Sequence, residues 1–158
     1  MAANTTPIFS VTPHVGQVTI PQTNAVAISD GTSTGVTTQA MYCAFKAGAN
    51  GSYLNKIRFG ITSATAATAS TASCLRVFLS TVTATEGAVV GATTQANTAL
   101  WQEIAVPAIT ADATTAATIY YEVVFNFPIP TGTSVLVCQH VAMASAVFWK
   151  AVVLGGDY

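Results

Sequence analysis

Few side chains in this sequence could do chemistry. The chain has two histidines, three cysteines and six acidic residues. His14 lies between Pro13 and Val15, and His140 follows Cys138 in an apolar run. Neither histidine belongs to an HExxH motif, and no P-loop or GxGxxG pattern occurs, so zinc hydrolases, nucleoside triphosphatases and dinucleotide-binding enzymes lack their signatures. We therefore interpret both histidines as structural or surface residues.

The acidic residues do not suggest a catalytic pair, because a glycosidase needs two carboxylates facing one cleft. Asp30, Glu86 and Asp112 stand in turn-like stretches, where a carboxylate bonds nearby backbone amides. Glu103 and Glu122 fall within predicted strands, where cations on neighbouring strands are the simplest partners. Calcium would need a close cluster of acidic or carbonyl ligands, and no Asp-x-Asp occurs. The sequence predicts no enzyme activity, no metal and no cofactor.

The elements that carry these residues are predicted to be strands. Alanine (28) and threonine (25) dominate the chain, and only 7% of residues are charged. Threonine suits a pleated surface, and no long stretch repeats apolar residues at helical spacing. About eight segments alternate apolar and polar residues between turn-like clusters. They cover approximately residues 15–20, 24–28, 36–46, 53–62, 74–81, 99–106, 117–127 and 133–153, the last predicted to be a hairpin.

This pattern predicts an all-β fold, an antiparallel β-sandwich that is jelly-roll-like and has about eight strands. An immunoglobulin-like sandwich is the alternative, although the Cys-Trp-Cys pattern of true immunoglobulin domains is missing. Residues 1–22, which contain three prolines, are expected to form an extended N-terminal arm, and residues 23–158 a single β-sandwich domain. Loops are expected at 29–35, 62–73 and 83–97. The uncharged loop at 62–73 either lies against a neighbouring chain or is exposed.

Candidate protein-interface residues come from the arm, from the cations and from the aromatic residues. They are Ile8, Phe9 and Val11, then Lys56, Arg58 and Arg76, then Trp101 and Trp149. Lys56 and Arg58 share one face of a strand whose other face is expected to point inward through Tyr53, Ile57, Phe59 and Ile61. Their partners are Glu103, Glu122 or an acidic patch on a neighbouring molecule. The tryptophans are interpreted as core or subunit-interface residues, with carbohydrate binding as the alternative if they are exposed.

Composition also limits the partners and the location. The five basic residues are scattered and the net charge is −1, so nucleic acid is not expected. The apolar run at 135–154 is interrupted by Gln139, His140 and Lys150, so two buried strands are expected there and not a membrane span. No secretory signal is visible, which predicts a protein made and kept without Sec export. The odd number of widely spaced cysteines predicts buried, reduced thiols.

Several stretches carry a resemblance to a known group of proteins. They are FKAGANGSYLNKIRFGITSATAAT, CLRVFLST, LWQEIAVPAIT and the C-terminal AVVLGGDY. Together they resemble small virion-associated proteins of tailed bacteriophages and prophages. In that group a TAGANGS-like turn precedes a strand with Arg or Lys, RLFL-like and LW.E..V-like strands follow, and the chain ends in Gly-Gly-Asp plus one apolar residue.

The resemblance runs from about Val36 to Tyr158 and consists of turn and strand patterns. This chain differs in its longer segment at 83–97, where the group has a short Asp-Gly turn, and in its Ala/Thr-rich loop at 62–73. The resemblance implies a structural role on a phage particle, made in the host cytoplasm. The expected role is a capsid decoration (cement) protein, a homotrimer that binds the major capsid protein on the capsid surface. The alternative is a tail or head-fibre component that binds host glycans.

Overall fold

The computed structural model describes residues 12–26, 29–63, 68–111, 119–143 and 146–158. In these ranges the regular structure is β-strand apart from one 3-10 turn at Thr37–Gln39, which confirms the predicted all-β class. The strands are β1 (Thr12–Ile20), β2 (Tyr42–Lys46), β3 (Ser52–Ser63), β4 (Thr68–Ala69), β5 (Ser73–Ser80), β6 (Thr98–Val106), β7 (Thr110–Ala111), β8 (Tyr120–Ile129), β9 (Ser134–Gln139) and β10 (Val147–Asp157). No helix in the described ranges is long and apolar enough to cross a membrane.

The eight longer strands form two antiparallel sheets that pack as a sandwich. Sheet 1 has the order β1-β10-β3-β8 and sheet 2 has the order β2-β9-β5-β6, while the short strands β4 and β7 pair with each other. Among the longer strands, the first pairs with the last and the second with the last but one, and this nesting continues to the middle of the chain. The pairs are β1–β10, β2–β9, β3–β8 and β5–β6. The chain is therefore one long antiparallel hairpin whose two arms are folded across both sheets.

Three expectations differ from this arrangement. Residues 12–20, placed in the predicted arm at 1–22, form β1 and pair with β10, because Val18 and Ile20 alternate into the core. Residues 1–11 lie outside the described residues. The hairpin predicted at 133–153 was wrong: β9 pairs with β2 and β5, whereas β10 pairs with β1 and β3 in the other sheet. The segment predicted as a strand at 24–28 has no strand at residues 24–26.

The main core lies between the sheets. Ile57, Phe59 and Ile61 of β3 are buried there, as predicted, but Tyr53 is only half-buried and Leu54 takes the inward place. The pairing register of β3 shifts between Leu54 and Lys56 against both neighbouring strands. Such a bulge inserts one residue and thereby exchanges the inward and outward positions on one side of it.

A second, smaller core covers the outer face of sheet 2. It consists of Val26, Met41, Cys43, Phe78, Ala84, Val90, Leu136 and Cys138. The loop at 83–97 is held against β2 by hydrogen bonds from Val90 N to Met41 O (2.9 Å) and from Cys43 N to Ala88 O (3.0 Å). Because both faces of sheet 2 are covered at β9, every residue of that strand is buried, whereas residues 99–103 of the edge strand β6 are exposed. Sheet 1, in contrast, keeps one face in solvent.

All three cysteines are free thiols. Cys43 and Cys138 are buried in the second core, and burial raises the pKa of Cys43 to about 11 and that of Cys138 to about 12. Both are therefore protonated and act as small apolar side chains, as predicted. Cys74 is only half-buried, because it lies on the outer face of sheet 2 beyond the part covered by the loops.

Candidate interaction surface

No described loop packs apolar residues onto the outer face of sheet 1. Strand pairing aligns its side chains in rows, and one row runs Val15, Leu154, Lys56 and Val124. Val15 is 58% exposed, Leu154 38% and Val124 60%. We call this surface the outer face; it comprises Val15, Gln17, Thr19, Lys150, Val152, Leu154, Lys56, Arg58, Tyr120, Glu122 and Val124. Exposed apolar side chains aligned in a row are typical of a surface that contacts another molecule.

The outer face is also the positively charged side of the molecule. It carries three cations, Lys56, Arg58 and Lys150, and one anion, Glu122, for a net charge of +2. Because the whole chain has a net charge of −1, the other residues together carry −3. This segregation favours an acidic surface as the partner.

Glu122 forms ion pairs with two of the three cations. Its Oε1 lies 3.0 Å from Lys56 Nζ and 2.6 Å from Arg58 Nη2, and the Arg58 guanidinium also stacks 4.4 Å from the centre of the Tyr120 ring. Hydrogen bonds from Arg58 and then from Lys56 lower the pKa of Glu122. Of the three partners considered for these cations, the structure selects Glu122. Lys150 makes no ion pair with any described residue and lies beside a shallow hollow of about 270 Å³.

The other predicted interface residues are not brought together with the outer face. Trp149 is fully buried in the main core, because β10 lies in the centre of sheet 1 and Trp149 alternates inward. It is therefore a core residue and does not contact a partner in this fold. Ile8, Phe9 and Val11 lie outside the described residues.

Arg76 is also committed within the chain. It is only 6% exposed. It donates through Nη1 to the Val26 carbonyl at 2.7 Å and through Nε to Glu103 at 2.5 Å. The hydrogen bond from Arg76 lowers the pKa of Glu103. The predicted cross-strand pairing of Glu103 is thus confirmed. Arg76 holds strands together within sheet 2 and does not form part of an exposed surface.

Trp101 lies at the edge of the sandwich where β6 and β8 come together, opposite the edge formed by β1 and β2. It is the extra residue of a bulge in β6, since Gln102 pairs with Val77 and Leu100 pairs with Phe78. Its ring centre lies 4.7 Å from that of Phe127 on β8, and 46% of the residue is exposed. Trp101 therefore closes the sandwich on one side and presents its other side to solvent.

Among the described residues, the cluster around His14 most resembles the arrangement of a catalytic site. Nδ1 of His14 lies 3.0 Å from Asp157 Oδ1, and Nε2 lies 3.0 Å from Glu86 Oε2. Ser52 is buried and donates to Asp157 at 2.5 Å, but it does not contact the histidine. A nucleophilic serine needs a histidine nitrogen free to accept its proton, whereas both nitrogens of His14 face carboxylates. The geometry is that of a structural clasp, which joins β1, β10 and the loop at 83–97.

Glu86 was interpreted as a turn residue, and this long-range role was not visible in the sequence. Asp30 is a turn residue as predicted: it accepts from Thr32 N at 2.8 Å, and the hydrogen bond from Gln95 followed by that from Thr32 lowers its pKa. Asp112 lies outside the described residues. The described residues contain no group of three metal-ligating side chains.

The pattern Gly-x-Ser-x-Gly, which marks the nucleophile of α/β-hydrolases, occurs at Gly31–Gly35. Its chemistry requires a sharp turn between a strand and a helix, with a histidine next to the serine. Here Ser33 is buried in a loop that pairs with Thr93, and its Oγ accepts a hydrogen bond from Thr93 Oγ1 at 3.0 Å. The pattern therefore serves loop packing at this position.

Comparison of the chain with protein-family models, with curated proteins and with solved structures found no match.

Proposed function

We propose that this chain is a structural protein of a tailed-bacteriophage virion, a capsid decoration (cement) protein that binds and stabilises the shell of the major capsid protein. The observation that carries the proposal is the asymmetry of the sandwich. The outer face of sheet 2 is covered by the chain's own loops over β2, β9 and part of β5, whereas the outer face of sheet 1 exposes Val15, Val124 and Leu154 beside a net charge of +2. A partly apolar, cationic face suits attachment to an acidic protein surface.

The topology supports the same proposal. If the eight longer strands are counted in chain order, the sheets read 1-8-3-6 and 2-7-4-5. This order favours the jelly-roll variant of the sandwich over the immunoglobulin-like one, because each strand of the first half pairs with its counterpart in the second half. Jelly rolls recur in viral capsid and lectin domains. The fold alone does not specify function, and the outer face is the feature that favours attachment to a capsid.

The chemistry of the described residues supports a non-catalytic role. The carboxylates of Glu103 and Glu122 are each engaged by cations, and His14 is held on both sides. A decoration protein needs many modest contacts repeated by symmetry instead of one reactive group. We place the chain on the capsid surface after synthesis in the host cytoplasm.

The proposed assembly is a homotrimer whose subunits meet along the side formed by β6 and β8. Leu100 and Trp101 expose 40% and 46% of their surface there, next to each other. The nearest charged residue on β6, Glu103, is paired with Arg76, so two copies would not repel each other at this edge. Each subunit would then present its outer face independently of the subunit contact.

The second candidate is a tail or head-fibre component that binds host glycans. The half-exposed ring of Trp101 favours it, because sugars pack against flat aromatic surfaces that remain open to solvent. The two roles separate by mutation. Trp101→Ala should abolish attachment to host cells if the chain binds a receptor, whereas in a cement protein it should weaken the trimer contact and leave host-cell attachment unchanged.

The proposed surface is tested by reversing one charge on it. Lys150→Glu changes an exposed cation of the outer face that has no ion pair with a described residue, and Lys46→Glu makes the same charge change at an exposed site on β2. In co-sedimentation with capsids that lack the protein, Lys150→Glu should weaken binding on the order of tenfold, while Lys46→Glu should bind like the wild type. Equal effects of the two variants would contradict the assignment of the outer face.

A further inference from the structure

We propose that the hollow beside Lys150 is a binding site for a carboxylate, and that its occupant is a glutamate or aspartate side chain of a partner protein. The proposal rests on the proposed function in one respect, the use of the outer face as a contact surface, and names the chemical group which that face recognises. It does not require the partner to be a capsid protein. We call the site the Lys150 hollow; its lining includes Gln17, Thr19, Gly87, Lys150 and Val152.

The strand register brings three hydrogen-bond donors to this hollow. Thr19 lies directly opposite Lys150, and Gln17 lies two residues earlier on β1. All three side chains point to the outer face, because Val18 and Ala151 between them alternate into the main core. Directly opposite residues have Cβ atoms about 5 Å apart, and diagonal neighbours remain within reach of long side chains. An ammonium, a hydroxyl and an amide group therefore line one small surface.

These donors are not used within the described part of the chain. The side chains of Gln17 and Thr19 make no hydrogen bond with a described residue, and Lys150 makes no ion pair with one. The carboxylates of Glu86 and Glu122, on neighbouring elements, are held by other groups. The hollow thus presents donors and a positive charge without an anion of its own.

A carboxylate matches this set of groups. Its two oxygens offer about four acceptor sites and one negative charge, and hydrogen bonds to a charged group are stronger than neutral ones. The volume of about 270 Å³ lies below the roughly 300–1,000 Å³ typical of small-molecule pockets, so a single side chain fits better than a larger ligand. Val152 and the methylene stem of Lys150 add apolar surface for the methylene groups of a glutamate.

The surroundings favour a protein carboxylate over that of an acidic sugar. Sugars pack against flat aromatic rings, and none of the described residues that line the hollow is aromatic. The half-exposed Trp101 lies at the other edge of the sandwich, formed by β6 and β8. The strands β1 and β10 that form the hollow also carry the exposed Val15 and Leu154, which a protein surface would cover in the same contact.

Nuclear magnetic resonance of the isotope-labelled, full-length chain tests the site directly. The probe is an acetylated and amidated Gly-Glu-Gly peptide, and the matched control peptide has glutamine in place of glutamate. The glutamate peptide should shift the amide signals of Gln17, Thr19 and Lys150 in a saturable manner, with an affinity about tenfold above that of the glutamine peptide. Glucuronic acid tests the acidic sugar, and tighter binding of this sugar than of the glutamate peptide would overturn the assignment to a protein carboxylate.

A neutral substitution separates a defined site from general attraction by charge. Thr19→Val removes one donor and leaves the net charge unchanged, so it should weaken binding of the glutamate peptide about fivefold. Thr12→Val makes the same change at another exposed position of β1 and should bind like the wild type. If the two variants bind alike, or if the peptide shifts signals elsewhere in the chain, Lys150 acts only as a surface charge and the site assignment is wrong.

The same variants distinguish failure of this site from failure of the proposed function. Peptide binding that depends on Thr19, without any binding to capsids, would keep the carboxylate site and remove the capsid role. Capsid binding that is unchanged in Thr19→Val, together with no saturable shift by the glutamate peptide, would remove the site and leave the capsid role. Both substitutions are at exposed positions, and the amide spectrum of each variant verifies that it is folded.

Discussion

At the scale of single residues, the ionised side chains of this protein mainly hold strands together. Glu122 links β8 to β3, Glu103 links β6 to β5, and Asp157 links β10 to β1 and β3. Exposed ion pairs of this kind contribute little to stability, because solvent and salt screen them. These ion pairs fix the register of the paired strands. They also leave Lys150 as the cation of the outer face that has no ion pair among the described residues.

The Asp157 cluster makes stability depend on acidity. Partial burial acts to raise the pKa of Asp157, but the hydrogen bonds from Ser52 and His14 outweigh it, and the pKa lies below its ordinary value. The folded state therefore favours the ionised carboxyl. Its contribution is present above the pKa of the unfolded chain, about 3.9, and is lost as the pH falls through the lower folded pKa.

We therefore expect Asp157→Asn to reduce the acid sensitivity of folding. Urea denaturation at pH 6 and pH 3 should show a smaller loss of unfolding free energy for the variant than for the wild type, because the variant has no carboxylate to protonate at this position. Asp30, Glu103 and Glu122 also have lowered pKa values, so part of the acid sensitivity should remain. An unchanged difference between the two pH values would show that the cluster does not stabilise the ionised form.

At the scale of elements, the closure of the sandwich on the β1 side depends on a glycine. A Cβ atom on Gly16 would lie 2.2 Å from the carbonyl oxygen of Ala44 and 3.1 Å from the Cα of Phe45. Ala44 is the bulged residue of β2, since the pairing of β2 with β9 shifts between Cys43 and Phe45. The bulge and the glycine together let an edge strand of each sheet approach the other.

Gly16→Ala is expected to destabilise the fold by about 3 kcal/mol, because backbone atoms on both strands must move. Gly91→Ala is the matched control, since an added Cβ there meets no atom within 4 Å. We expect the control to change the unfolding free energy by no more than about 0.5 kcal/mol. Thermal or urea denaturation of both variants measures the difference, and similar stabilities would refute the role of the close approach.

Alternation along the strands predicted much of this architecture. The inward and outward faces of β8 follow the sequence pattern from Tyr121 to Phe127, and the cations of β3 were placed correctly on an outward face. The pattern failed at bulges, because one inserted residue exchanges the faces without any local signal. Leu54 and Trp101 are the residues affected.

Contacts between distant parts of the chain were not predictable from one sequence. His14 meets residues 72 and 143 positions away, and none of the three has a distinctive neighbouring motif. The sheet assignment of β9 and β10 was missed for a related reason. Both segments are apolar and lie close in sequence, so a hairpin was the simplest prediction. The two strands instead belong to different sheets: β9 is buried on both faces in sheet 2, whereas β10 alternates between buried and exposed residues in sheet 1.

At the scale of the whole molecule, the two sheets differ in what covers them. Sheet 2 lies between the main core and the second core at β2, β9 and part of β5, while sheet 1 has the main core on one side and solvent on the other. A chain with few charges and one uncovered, cationic and partly apolar face is suited to assembly with another protein. This face carries a net charge of +2 and the other residues together carry −3, so the charges favour attachment through this face.

The most direct test is a cryo-electron microscopy reconstruction of purified virions, with mass spectrometry to count copies relative to the major capsid protein. We predict hundreds of copies in threefold clusters on the shell, each with the outer face of sheet 1 directed at the capsid protein and Lys150 at the contact. A handful of copies at the tail, or copies on the shell whose outer face points to solvent, would contradict the account.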